Sequence, residues 1–148
     1  MMSDPELSAA VDACRANPDF LAELRALLGE AQAEIDARGW QCLGGGGCCR
    51  FDLAGHRLYV SVGELALLTG EPSPRPGRAR LRRCPYQVGP RCHARENRPL
   101  GCRAFFCGAE ASDSQAIYES YHARIRQLHQ RHGLAYRYVE LTWALTEE

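Results

Sequence analysis

The 148-residue chain contains no lysine; all 18 of its basic residues are arginine. That absence excludes a Walker-type phosphate lysine, a Schiff-base lysine and a pyridoxal attachment point. The glycine run Gly44–Gly47 has neither GxGxxG spacing nor a following Lys-Ser/Thr, which argues against a nucleotide loop. The sequence has no stretch of about 18 consecutive apolar residues, and its start, MMSDPELSAAV, lacks a basic segment followed by an apolar one. No membrane span is expected, and the cytoplasm is the expected location. Formal charge is zero, which argues against a dedicated polyanion binder, so nucleic acid is not an expected partner. The length suits one domain over residues 1–148 and is too short for a substrate domain beside a cofactor domain.

Cysteine, by contrast, is abundant: there are eight. In a reducing compartment such density points to metal ligation or redox chemistry rather than to a disulfide framework. The stretch RCPYQVGPRCHARENRPLGCRAFFC, from Arg83 to Cys107, carries Cys84, Cys92, Cys102 and Cys107. Upstream, WQCLGGGGCCR carries Cys42, Cys48 and Cys49, and its glycines let the backbone wrap closely around a bound group. These seven thiols are the expected metal ligands, since thiolates are what zinc and iron–sulfur clusters select. The spacings Cys42-x5-Cys48-Cys49, Cys84-x7-Cys92 and Cys102-x4-Cys107 match no standard zinc-finger or ferredoxin pattern, so iron and zinc both stay open. Two closed four-thiolate sites need eight ligands, so seven imply an open position, a ligand of another type, or a single site. His93, beside Cys92, is a candidate extra ligand; His56, His122, His129 and His132 are weaker ones.

The remaining sequence reads as helical, giving a mainly α fold (small α or α+β) with helices around an irregular cysteine-rich core. Residues 1–39 are expected to form N-terminal helices, 40–107 the metal-binding core and 108–148 a C-terminal helical segment. Leu7, Val11 and Cys14 share one helical face, where Cys14 reads as a packing residue. Asn17-Pro18 starts a second helix with the stripe Phe20, Leu24, Leu27, Leu28, Ala31 and Ile35, ending near Gly39. A short strand is expected from His56 to Val60, then a capping box, Ser61-Val-Gly-Glu64, opening a helix that Gly70 stops. Pro72 to Gly77 reads as an extended, mobile loop. Ser112-Asp-Ser-Gln115 reads as another capping box, opening a helix with Ile117, Tyr118, Tyr121, Ile125 and Leu128 inward, closed by Gly133. The tail LAYRYVELTWAL alternates partly as a strand but is assigned to helix.

Arginine is unevenly spread. Arg75, Arg78, Arg80, Arg82, Arg83, Arg91, Arg95, Arg98 and Arg103 crowd a region whose only acid after Glu71 is Glu96. Arg50, Arg83, Arg91 and Arg103 are positioned in sequence to stabilise neighbouring thiolates, and Arg98 and Arg103 to pair with Glu96.

These residues resemble the CxxCxxCC family, described as zinc- or iron-chelating domains and as Fe–S-cluster-containing proteins. Cys42, Cys48 and Cys49 match its opening motif, and Ser61 and Glu64 its short helix. Cys84-Pro-Tyr, Cys92-His and Arg98-Pro99-Leu-Gly-Cys102-Arg103-Ala-Phe105-Phe-Cys107 match its closing segment, whose most specific part is RPxxCRxF. The resemblance covers about positions 40 to 107 and implies a metal or Fe–S module without supplying a reaction. Gly45 stands where the family has its second cysteine, and Ala94-Arg95 where Ile-Tyr is common. The first departure implies one ligand fewer and an open or substituted coordination site. A related segment occurs in flagellin lysine N-methylases, so one alternative is a redox or methyl-transfer enzyme at an open metal site, although no S-adenosylmethionine motif is recognisable. The other alternative is a zinc-stapled binding module whose arginine patch meets nucleic acid or an acidic protein.

Overall fold

Asp4 accepts hydrogen bonds from the backbone N–H groups of Glu6 and Leu7 and starts the helix Pro5–Arg15 (α1), in the computed structural model of the chain, which describes residues 4–40, 57–89, 91–105 and 111–146. Asn17 caps Phe20 in the same way and starts Pro18–Ala37 (α2). Both helices take a proline in the first turn, where its missing N–H costs nothing. Leu7, Val11 and Cys14 face inward from α1, and the whole expected stripe from Phe20 to Ile35 is buried along α2. Cys14 is fully enclosed, and burial pushes its thiol up to about 11, which makes it a packing residue.

The strand expected from His56 to Val60 is found slightly later, at Tyr59–Ser61 (β1); His56 lies outside the described residues. It runs directly into Val62–Leu68 (α3), where the capping box forms as expected and Thr69 closes the helix. Every residue of α3 is buried, so this short helix forms the centre of the core. The proline-rich stretch is only partly extended, because Pro76 opens a 3-10 turn over Pro76–Leu81. Arg82 follows in the left-handed conformation at φ 55°, its N–H held by the Ala79 carbonyl. Gln87–Val88 (β2) and Arg91–Cys92 (β3) make a small antiparallel hairpin, and Leu100–Ala104 (α4) follows a 3-10 turn at Arg95–Asn97.

The long helix Ala111–Arg131 (α5) packs against α2. It has already begun at Ala111, so Ser112 and Gln115 lie inside it and do not form the expected capping box. Gly133, at φ 64°, turns the chain away. The tail then divides, correcting its assignment to helix throughout: Tyr138–Glu140 (β4) pairs antiparallel with β1, and Leu141–Leu145 (α6) follows. The dividing point is Glu140, whose carboxylate accepts from the N–H groups of Thr142 and Trp143 and so caps the helix while its backbone remains extended. The architecture is mainly α, with two short two-stranded sheets among the described residues, and one contiguous apolar cluster runs from Leu7 through Leu65 and Leu100 to Ala144.

Gly63 marks the tightest point of this core. A methyl group there would sit 2.6 Å from the Phe20 ring and 2.9 Å from Nε2 of His129. Gly63→Ala is predicted to lower stability by about 1–3 kcal/mol through overpacking. Gly29→Ala, on the exposed side of α2 where an added methyl meets nothing within 4 Å, should instead raise it by about 0.5–1 kcal/mol. Urea unfolding of the two variants checks both signs.

Candidate functional site

Cys84 from the loop before β2, Cys92 from β3 and Cys102 from α4 line one cavity of about 300 Å³. Its walls are mostly apolar, formed by Leu58, Leu68, Ala94, Pro99, Phe105 and Leu141, with Arg57 and Arg98 as the charged lining residues. Cys84 is buried, 5 % exposed, while Cys92 and Cys102 are half-buried.

Local structure explains how each thiol reaches the cavity. Cys84 follows the left-handed turn at Arg82, and its carbonyl accepts from the N–H of Gln87, folding the chain back toward the hairpin. Cys92 stands on β3 opposite Gln87, and the next N–H, that of His93, donates to the Tyr86 carbonyl at 2.7 Å. Tyr86 in turn anchors this region to the core. Its buried hydroxyl lies 3.1 Å from the Leu68 carbonyl and 2.9 Å from that of Glu71, and burial pushes its pKa up to about 12. Cys102 sits on α4, which packs close to the strand leading into β1 because Gly101 has no side chain; a methyl there would lie 2.5 Å from Cδ1 of Leu58.

Two polar residues position α4. Glu64, 2 % exposed, accepts through Oε1 from the backbone N–H and hydroxyl of Ser61, and through Oε2 from the N–H of Leu100 at 2.7 Å. One carboxyl thus closes the capping box of α3 and also satisfies the first N–H of α4. Burial pushes its pKa up, opposed by these hydrogen bonds and by Arg103. Arg103 does not pair with the Glu96 carboxylate as expected: its guanidinium donates to the carbonyls of Arg98 and Glu96 and to the side chain of Gln32. Arg98 likewise donates to the Arg95 carbonyl and to Gln32 rather than to Glu96. The two arginines clamp the turn before α4 onto α2, and burial together with Arg98 pushes the pKa of Arg103 down. The serine–glutamate spacing was a readable signal for the capping box, but nothing in the sequence indicates its second partner, Leu100.

Other expected site residues are distributed differently. Cys42, Cys48, Cys49 and Cys107, with Arg50 and Gly44–Gly47, lie outside the described residues. Among the described residues, no three His, Cys, Asp or Glu side chains form a group placed to hold a metal ion. His93 is exposed and lines a separate cleft with Glu71 and Arg95, away from the cysteine cavity. Arg83 and Arg91 do not line the cavity; Arg57 and Arg98 do. His122 and His129 belong to an aromatic cluster. His122 stacks on Tyr118 and lies 2.6 Å from the Tyr136 hydroxyl, while His129 packs edge-on against Phe20 and Tyr136. Burial lowers the pKa of both imidazoles. Phe105 joins this cluster to the cavity through its contact with Tyr118.

No protein-family model matches the chain, and neither a curated protein nor a solved structure matches it.

Glu64→Gln presents an amide N–H₂ toward a backbone donor, at Leu100 or at Ser61, and is predicted to lose about 1–3 kcal/mol of stability. Because the folded pKa of Glu64 lies above its ordinary 4.5, folding takes up a proton here. The associated stability is complete below that value and is lost as pH rises through the elevated pKa. Denaturant midpoints of wild type and Glu64→Gln, compared from acid to neutral pH, should show the wild-type advantage shrinking as pH rises.

Proposed function

We propose that this chain is a small metal-binding protein whose cysteines hold an iron–sulfur cluster or zinc, with Cys42, Cys48, Cys49, Cys84, Cys92, Cys102 and Cys107 as the ligand set. The observation that carries this reading is the shared cavity of Cys84, Cys92 and Cys102, three thiols from a loop, a strand and a helix that line one mostly apolar space. Its chemistry suits thiolate ligation: the lining excludes most competing polar groups, and Arg57 and Arg98 supply positive charge where thiols must lose their protons. The two segments that carry the remaining four cysteines join the described chain at Trp40 and Arg57 and at Phe105 and Ala111; Arg57 and Phe105 line the cavity.

Cavity size bears on what is held. One zinc ion draws its sulfurs to about 2.3 Å from a single point. A volume of about 300 Å³ is roughly ten times a water's share of the liquid. Such room admits either a single ion or an iron–sulfur cluster, and metal analysis decides between them. The match to RPxxCRxF and its flanking cysteines supports the same reading by resemblance to the CxxCxxCC proteins.

Protein purified without oxygen is predicted to contain iron and acid-labile sulfide and to absorb visible light. Cys84→Ser, Cys92→Ser and Cys102→Ser should each lower metal affinity by more than the roughly 10–100-fold typical of losing an outer-shell partner. Cys14→Ala, which alters a buried cysteine away from the cavity, should leave metal content unchanged. Unaltered metal content in all three serine variants would sink the assignment, and zinc without sulfide would decide for a single-ion site.

A further inference from the structure

The segment from Pro72 to Arg95 contains seven arginines and no acid, while the chain as a whole is neutral. The rest of the protein is therefore net negative, and this corner carries the opposing charge. Its backbone is closed on itself. The N–H of Arg75 donates to the Pro85 carbonyl, that of Arg83 to the Arg78 carbonyl, and the guanidinium of Arg78 to the Gln87 carbonyl. Arg82 holds a left-handed backbone at φ 55°, its N–H bonded to the Ala79 carbonyl. Arg75 and Arg91 are exposed and Arg82 is half-buried.

These arginines differ from those on the helical side of the molecule. There Arg124 meets Glu30, Arg131 meets Glu23, Arg38 meets Asp113 and Glu34, Arg15 meets Asp12, and Arg137 meets Asp4, all within 4 Å. Arg75, Arg82 and Arg91, by contrast, form no ion pair with any described residue. We infer that this corner is a docking surface for a short acidic segment of a partner protein, whose carboxylates supply the counter-charges that Arg75, Arg82 and Arg91 lack among the described residues. Guanidinium forks match carboxylates two bonds at a time. A nucleic acid strand fits less well: no aromatic residue stands between Arg75 and Arg83 on which a base would stack, and a long polyanion would run onto the net-negative remainder. Cys84 and Cys92 lie within the same segment, so a partner bound there docks beside the cysteine cavity. The inference itself does not depend on what those cysteines hold.

Fluorescence anisotropy with a labelled oligoglutamate, and with an oligodeoxythymidine of equal charge, tests it on the full chain at low and raised salt. Oligoglutamate should bind more tightly of the two, and salt should weaken it. The combined variant Arg75→Gln, Arg82→Gln and Arg91→Gln should bind at least about tenfold more weakly. Arg75→Glu with Arg91→Glu, at two exposed positions, should abolish binding while leaving thermal unfolding unchanged. Arg124→Gln should bind as wild type does. Metal content, measured in the same samples, should not follow the binding. Absence of oligoglutamate binding, tighter binding of the oligonucleotide, or binding that survives both arginine variants would overturn the proposal.

Discussion

The carboxyl of Glu64, buried between α3 and α4, is the contact on which the arrangement around the cysteines depends. Taking a carboxyl out of water is costly unless its oxygens are satisfied, and here three donors from two elements satisfy them. Because one of those donors is the first N–H of α4, the position of Cys102 is tied to the centre of the hydrophobic core rather than to a surface turn. Arg103 holds the other side of the same five-residue helix through backbone carbonyls. A helix this short has little stability of its own. Two polar anchors and the missing side chain of Gly101 substitute for length.

The segment is built from local devices that need little core. Pro76 opens a turn, Arg82 reverses it, the hairpin brings Cys92 back beside Tyr86, and Tyr86 binds the whole to carbonyls at the end of α3. Such irregular backbone tolerates close approach to a bound group better than regular helix or sheet does. The same segment carries seven arginines and no acid from Pro72 to Arg95, and Arg75, Arg80, Arg91 and Arg95 lie exposed on it. The chemistry proposed for the cysteines and the docking proposed for the arginines thus share one folded loop.

Features of the fold that depend on nearby residues could be read from the sequence. The caps at Asn17 and Ser61, the stripe of α2 and the packing role of Cys14 all follow from spacing within a turn or two. What could not be read depends on residues far apart. Glu64 meets Leu100 across 36 positions, and the Arg103 guanidinium finds Gln32 across 71. Glu96 is the nearby carboxylate that sequence offers Arg98 and Arg103 as an alternative partner, but both donate to backbone carbonyls and Gln32, acceptors that sequence proximity hides. The tail was ambiguous because both of its signals were real. Extended alternation holds up to Glu140 and helical spacing after it, and only pairing with β1 shows where one gives way to the other. For the site, sequence marked the cysteines as a group, while the cavity shared by three of them emerges only from the folded chain.

Leu141 closes one wall of the cysteine cavity, and its N–H donates to the Leu58 carbonyl on the opposite side of the chain's midpoint. During synthesis the ribosome delivers Cys84, Cys92 and Cys102 well before Leu141, so the thiols emerge into solvent with their enclosure unfinished. The pocket is therefore completed in a late step, when β4 reaches back to β1. A group bound there has wider access during translation than in the folded chain, where Cys92 and Cys102 remain half-buried.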